Sequence, residues 1–406
     1  MTSTSLTANQ VAQRLGVKPA TVYAYVSRGL LHRELSDDGR TSRFDPTEVD
    51  ELARRGRPRR DARRTGVVDV VLSSVLTEIR DGELRYRGHD VTGLVGSVGF
   101  EDVAELLWTG EAPAGRRWTA PVPDVALARA VTEPLGPSAT PADRIRVATA
   151  AIASARPLRV DLRPEAVTSH ARALIASLVD SLPTVGGRPT PSPAPRRPAR
   201  LAARLWPRLA DAAPTPPRVR ALDAALVLLA DHELASSTLA ARVAASTRSD
   251  PYDVVLAGLG AVSGPLHEGA GTAAHRMLVH ARSGRSPDRA VGEALTTHGT
   301  LPGFGHPLYP DGDPRASCLL GLLPPMLGTR DADVVEGTLS AAAATSAPPP
   351  NVDYALAALA FGAGMAADAI EAIFALARIA GWIAHALEEY AERPLRFRTR
   401  AIYIGA

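Results

Sequence analysis

The chain has 406 residues, 45% hydrophobic and 22% charged, enough for two or three globular domains with their own cores. Its single cysteine, Cys318, excludes an intrachain disulfide framework and fits a reducing cytosol. The net charge of +3 is unevenly spread: residues 1–65 hold 13 Lys and Arg against 8 Asp and Glu, while the other 341 hold 33 against 35. A polyanionic partner is therefore expected at the N-terminal segment and not elsewhere. The opening MTSTSLTANQ lacks the charged start and apolar run of a signal peptide, and the longest apolar run, 354–367, is too short to cross a membrane. A cytoplasmic protein with no membrane partner is expected.

In chain order, Thr7-Ala8-Asn9-Gln10 reads as a capping-box helix start, with Val11 and Leu15 along one face. Gly16 breaks that helix, Pro19 opens a second through ATVYAYVSRG, and Gly29 closes it. Residues 35–44 read as two short strands around the turn Ser36-Asp37-Asp38-Gly39, a wing, and Asp45-Pro46 caps a third helix ending near Arg55. Two short helices joined by a Gly-containing turn form the pattern of a helix-turn-helix. The segment resembles the DNA-binding domains of mercury-regulator (MerR) type activators and excisionases. The resemblance implies that the second helix enters the major groove and that phosphate contacts dominate affinity. Lys18, Thr21, Tyr23, Arg28 and the wing residues Arg40 and Arg43 would then approach duplex DNA. The alternative is a protein-docking module whose basic face is solvated. Residues 53–64, ARRGRPRRDARR, carry seven arginines and read as a flexible basic linker. The expected organisation is a winged helix-turn-helix domain over 1–55, an Arg-rich linker over 56–66 and a main domain over 67–406.

Residues 70–76 read as a short β-like run, and 81–90 as a hairpin leading into a helix. Residues 100–110 form an amphipathic helix with Val103, Leu106 and Leu107 as its buried stripe. Arg87 is read as a surface arginine. The signal is weak from 114 to 217, with helices over 144–155, 164–179 and 201–213 and an extended Pro-rich loop at 183–198. Residues 219–246 are a long Ala/Leu helical pattern enclosing Asp231-His232-Glu233, with Leu226, Leu229 and Val243 as core. A Gly-rich helix over 252–263 leads to a turn at 264–271 and a helix over 272–282. His267 and His306 then lie on Gly/Pro-rich turns, which hold polar side chains at the edge of a cleft. Asp353 lies where Pro348-Pro349-Pro350 opens into an apolar helix, and its bland reading is a plain N-cap. Two proton donors and one proton acceptor are what carbon–carbon bond formation beside a carbonyl needs. One group takes the α-proton, one stabilises the enol oxygen and one protonates the attacked carbonyl. His275, His280 and His298 have no cluster of Cys or acids around them, so no metal site is expected.

Gly264-Pro265-Leu266-His267, Gly303-Phe304-Gly305-His306 with Asp313-Pro314-Arg315, and Asn351-Val352-Asp353 occur in the order and approximate spacing of citrate synthases, which this chain resembles from about 70 to 405. LRYRGHD at 84–90, DHELASSTLAAR at 231–242, RIAGWIAH at 378–385 and RTRAIYIG at 398–405 extend the resemblance. It implies an all-α, two-lobed helical fold that condenses acetyl-CoA with oxaloacetate and water to give citrate and CoA. Asp353 would be the base, His267 the enol stabiliser and His306 the acid. His232, Arg315, Arg378 and Arg398 would bind oxaloacetate, with Arg398 reaching the neighbouring subunit of a homodimer. No metal or redox cofactor is implied. The alternatives are a 2-methylcitrate synthase using propionyl-CoA or another short acyl-CoA, and a catalytically impaired, metabolite-sensing DNA-binding regulator. The sequence departs from the family at Glu268 (usually Gly), Gly271 (usually Asn), Ala235 (Asn), Thr399 (Pro), and at Pro307 and Pro310, where basic residues are common.

Overall fold

The computed structural model describes residues 5–15, 17–27, 31–36, 41–54, 70–187 and 198–397. Within these, the side chains of residues 20, 24, 27, 35, 51, 53, 54 and 265–268 are not described. The expected linker over 56–66 and most of the Pro-rich loop lie outside the described residues. The chain divides into two compact units, Met1–Ser73 and Ser74–Ala406.

The first unit runs β1 (Leu6–Thr7), α1 (Ala8–Leu15), α2 (Pro19–Ser27), β2 (Glu34–Leu35), β3 (Ser42–Phe44) and α3 (Pro46–Arg54). The capping box forms: Thr7 N–H donates to Gln10 Oε1 at 2.8 Å, and Gln10 N–H donates back to Thr7 Oγ1 at 3.4 Å. Asp45 Oδ1 accepts the Thr47 N–H at 2.7 Å at the start of α3. The strands either side of the expected wing turn pair antiparallel, with Leu35 opposite Ser42 and Glu34 opposite Arg43. β1 adds itself to the other edge of β3, giving the order β1-β3-β2, because its two residues continue extended into the capping box. Val11, Ala12, Val22, Leu31, Phe44 and Val49 close a small separate core.

The second unit opens with an antiparallel meander, β4 (Thr77–Arg80), β5 (Glu83–Tyr86) and β6 (His89–Asp90). The β-like run expected at 70–76 is not a strand. Val71 and Val75 are 84% and 68% exposed, and the Val75 N–H and Ser74 hydroxyl bond the Glu388 carboxylate instead of a neighbouring strand. An apolar run becomes a strand only where a partner offers a ladder, and here pairing begins at Thr77. Helices follow: α4 (Val91–Leu94), α5 (Phe100–Thr109), α6 (Val122–Thr132), α7 (Pro141–Ser154), α8 (Pro164–Ser181), α9 (Leu201–Leu209), α10 (Pro216–Leu229), α11 (Ser236–Ser246) and α12 (Pro251–Val262). The chain then continues through α13 (Pro265–Arg282), α14 (Pro287–His298), α15 (Pro314–Leu322), α16 (Thr329–Ala344), α17 (Val352–Ala363) and α18 (Ala369–Ala391). The unit is helical apart from its meander.

Three expectations are corrected. The long pattern at 219–246 is two helices, α10 and α11, broken at Asp231-His232-Glu233, where Glu233 takes a left-handed φ of 49°. The break resets the helical phase, so Arg242 is buried and Val243 is 41% exposed. The turn expected at 264–271 is the start of α13, with Pro265 at its first position, where a missing N–H costs nothing. Arg87 is not a free surface group: its Nε and Nη2 donate to Leu107 O at 3.0 and 2.8 Å, near the C-terminal end of α5. Among the described residues only α18 is long and apolar enough to cross a membrane, and 89% of its apolar window is buried. It is the central core helix. Gly258 of α12 lies so close that a Cβ there would sit 2.5 Å from the Trp382 ring.

Candidate active site

Two backbone segments bring His306 and Asp353 together. Gly305 N–H donates to Pro349 O at 2.8 Å, and Asn351 N–H donates to Gly303 O at 2.9 Å, a short antiparallel clasp. Asn351 Nδ2 adds a third bond, to Gly305 O at 2.8 Å. The glycines are required there: Gly303 has φ 82°, and a Cβ on it would lie 2.9 Å from Tyr354 Cβ. Asn351 also caps α17, its Oδ1 accepting the Asp353 N–H at 3.0 Å. Asp353 is therefore not the cap; it is the second residue of the helix. Burial pushes its carboxyl up to about 6, against the opposing pull of Arg315.

His306 sits at the corner of a β-turn whose Tyr309 N–H donates to His306 O at 3.0 Å. A second turn follows at once, from Gly312 N–H to Tyr309 O at 3.2 Å. Pro307 and Pro310, the residues that replace the family's basic side chains, occupy the second position of these turns, where their fixed φ is favoured. The Leu308 N–H donates to His306 Nδ1 at 3.1 Å. An amide can only donate, so the ring proton of the neutral imidazole lies on Nε2. Burial and the Arg315 charge lower the His306 pKa, which keeps the ring neutral.

His232, in the break between α10 and α11, is nearly buried, and burial together with Arg315, Arg378 and His306 holds its pKa well below the ordinary value. Its ring lies 5.3 Å from that of His306, edge to face, and its Nε2 is 3.0 Å from the Tyr309 hydroxyl. Arg315 is buried at the start of α15, its Nε and Nη2 donating to Asp313 at 2.9 and 2.8 Å. That fork leaves Nη1 outside the pair. Asp313 also accepts the Val352 N–H at 3.0 Å, so one carboxylate ties the Arg315 side chain to the start of α17. Arg378, buried on α18, donates from Nε to Leu229 O at 2.9 Å and lies 4.6 Å over the Phe374 ring.

His267 lies in the first turn of α13, one turn ahead of Gly271, where a Cβ would sit 2.9 Å from Ile370 Cγ2 and 3.9 Å from Asp353 O. Gly271 is thus where α13 packs against the start of α18 beside the start of α17. The side chains of His267 and Glu268, and all of Arg398, lie outside the described residues. In the first unit Lys18 precedes α2, while Thr21 and the 44% exposed Tyr23 lie on it. Arg43 is on the middle strand, its Nη1 3.5 Å from Ser5 O, a partly buried position for a wing contact. Arg28 and Arg40 lie outside the described residues.

A buried polar network beneath His232 escaped the sequence reading. Asp231 Oδ2 accepts the Thr77 hydroxyl at 2.5 Å and faces His385 Nε2 at 3.3 Å. Arg242 Nη1 donates to His385 Nδ1 at 2.8 Å, so the His385 proton is on Nε2, toward Asp231. Arg242 in turn pairs with Glu388 and Glu389, and Glu389 with Arg396. Asp231, Arg242 and His385 lie in the quoted motifs, but nothing local to them announces contacts that span more than 140 residues of sequence. Asp313 likewise lies in a quoted motif, with no role of its own legible there.

A family model described as "Citrate synthase, C-terminal domain" matches residues 64–400. The chain belongs to the citrate synthase family. It is an enzyme of the citrate synthase type by that membership, and a helix-turn-helix domain model matches residues 5–57 ahead of it. Citrate synthase 2 of Bacillus subtilis (strain 168) is 30% identical over 358 residues, 83% of this chain and 94% of the relative. A 2-methylcitrate synthase 1 of Corynebacterium glutamicum is 27% identical over 82% of this chain and 92% of its own length. The citrate synthase of the archaeon Thermoplasma acidophilum, solved in ternary complex with carboxymethyl coenzyme A and oxaloacetate, shares the fold. Its TM-score is 0.67 at 24% identity, over 83% of this chain and 94% of that one. The all-α citrate-synthase-like fold expected from the motifs is the observed one.

Proposed function

We propose that this citrate synthase family member condenses acetyl-CoA with oxaloacetate and water, giving citrate and coenzyme A. The observation that carries the reading is the pairing of opposites held by one backbone clasp: a carboxyl raised to about 6 at Asp353 and a neutral Nε2–H donor at His306. Asp353 takes the methyl proton of the thioester while His267 donates to the developing enol oxygen. The enol carbon attacks the oxaloacetate ketone, whose oxygen takes the His306 Nε2 proton. Water then hydrolyses the citryl thioester and releases the thiol. His232, Arg315 through Nη1, Arg378 and Arg398 hold oxaloacetate, a ligand of the archaeal neighbour's ternary complex. The sequence needs no metal or redox cofactor. The enzyme works as a cytoplasmic homodimer in which Arg398 completes the site of the neighbouring subunit. Thiol release on mixing with oxaloacetate and acetyl-CoA tests the reading, and no release with either acetyl-CoA or propionyl-CoA overturns it. Faster release with propionyl-CoA would make it a 2-methylcitrate synthase, a choice of one methylene worth about 1–3 kcal/mol.

The helix-turn-helix unit supports a second reading, duplex DNA binding through residues 1–55. Its exposed Lys18 and Tyr23 beside α2, and the positive balance confined to residues 1–65, favour a polyanion. Should turnover be absent, Glu268 beside His267, with Pro307 and Pro310 in place of basic residues, points to an impaired enzyme serving as a metabolite-sensing regulator.

A further inference from the structure

We propose that Tyr309 is a positioning residue for the condensation, fixing His232 through its hydroxyl and the His306 ring through its own ring. The inference rests on the condensation reading and adds a residue to it. Tyr309 is 2% exposed and touches three of the side chains assigned to oxaloacetate and proton transfer. Its hydroxyl is 3.0 Å from His232 Nε2, its ring centroid is 4.9 Å from that of His306 at 39°, and Arg315 Cζ lies 5.4 Å over its ring face.

The chain holds this side chain rigidly before any ligand arrives. Tyr309 is the shared corner of the two consecutive turns, the last residue of one and the first of the next, each with proline at its second position. Proline at 310 also confines Tyr309 itself to extended backbone. The turn hydrogen bonds fix where its ring starts, and the His306 and His232 rings fix where it ends.

The hydroxyl has a specific consequence. A neutral imidazole carries one donor and one acceptor nitrogen, and a buried His232 must commit one of them to Tyr309. That commitment fixes the plane of the ring and so the direction of Nδ1, the ring nitrogen left for substrate. Without the hydroxyl, Nε2 loses a partner in a nearly dry site and the ring is free to reorient. The ring makes a different contribution: it packs against the His306 imidazole, whose other edge is pinned by the Leu308 N–H. Hydroxyl and ring should therefore affect different kinetic constants.

The test is a pair of full-length variants, Tyr309→Phe and Tyr309→Leu, measured by thiol release with oxaloacetate and acetyl-CoA varied separately. In parallel, nitrogen NMR of the imidazoles is recorded without substrate. In Tyr309→Phe the KM for oxaloacetate rises about 5- to 100-fold, the range for leaving one buried polar group unpaired, while the KM for acetyl-CoA and kcat stay near wild type. The His232 Nε2 resonance, which reports its hydrogen bond to the hydroxyl, shifts. Tyr309→Leu adds a fall in kcat through the loosened His306 ring. An unchanged oxaloacetate KM with an unchanged His232 Nε2 resonance in Tyr309→Phe overturns the proposal. Equal losses for both substrates also overturn it, because a merely structural tyrosine would produce them. The NMR readout needs no turnover, so an inactive wild-type enzyme would sink the condensation reading and still leave Tyr309 decided.

Discussion

Replacing Asp353 by asparagine separates a base from a structural carboxylate by two effects of opposite sign. Its carboxyl has been moved by burial from an ordinary 3.8 to about 6. At pH 8 it is ionised in both folded and unfolded chains, and the folded chain bears a penalty of about 3 kcal/mol for that charge. Because the folded pKa is the higher one, its proton-linked stability is complete below about pH 3.8 and is lost as pH rises through about 6. Asparagine keeps the shape and the backbone N–H bonded to Asn351, and it carries no charge. Asp353→Asn should therefore melt higher than wild type at pH 8, by up to about 3 kcal/mol, and this advantage should shrink toward zero near pH 4. Turnover should fall about 10²–10⁴-fold, the usual contribution of a positioned base. In the wild type, kcat/KM should halve near pH 6 and decline further in acid, since only the ionised carboxylate accepts the proton. Thermal melts at pH 4 and 8 with thiol-release rates across that range decide the matter. A variant with wild-type turnover, or one equally stabilised at both pH values, would refute the reasoning.

Four further outcomes are expected. Gly303→Ala puts a Cβ against the Tyr354 backbone at a φ of 82°, so the clasp at His306 should open and kcat/KM should drop on the order of 10²-fold, readable by the same assay. Asp313→Ala removes the carboxylate that neutralises buried Arg315 and should cost about 3–5 kcal/mol; an unchanged melting temperature would contradict the ion pair. Ala235 stands at the N-cap of α11 with extended backbone and no side-chain cap, so Ala235→Asn should stabilise the fold by about 1 kcal/mol in thermal melts. The full-length protein should shift duplex DNA at low salt and release it steeply as salt rises, while a chain beginning near Ser74 keeps thiol release; truncation that abolishes turnover would give the first unit a structural role instead.

Much of this enzyme was legible in local sequence because its signals are local in physics. The Thr7–Gln10 capping box needs only four residues, and both halves of it form. The three motifs carrying His267, His306 and Asp353 identify the family, since Gly and Pro at fixed offsets dictate particular turns and caps wherever they fold. Local pattern misled where the deciding partner was distant. The apolar residues at 70–76 had strand composition but no strand to pair with, and Glu388, three hundred residues on, claimed their polar groups. The Ala/Leu periodicity across 219–246 read as one helix, yet the segment breaks at Asp231–Glu233. There Tyr86 of the meander and Gly381 of α18 supply backbone hydrogen bonds that a helix would have supplied to itself, while Thr77 and His385 hold the Asp231 carboxylate. Pro307 and Pro310 looked only like lost basic residues until the two turns gave them a use. Sequence determined the family through its motifs. The tertiary structure alone decided their protonation: which nitrogen of His306 holds its proton, and that Asp353 is desolvated and not a cap. Those properties depend on burial and on single hydrogen bonds between segments far apart in the chain, and no short stretch of residues contains them.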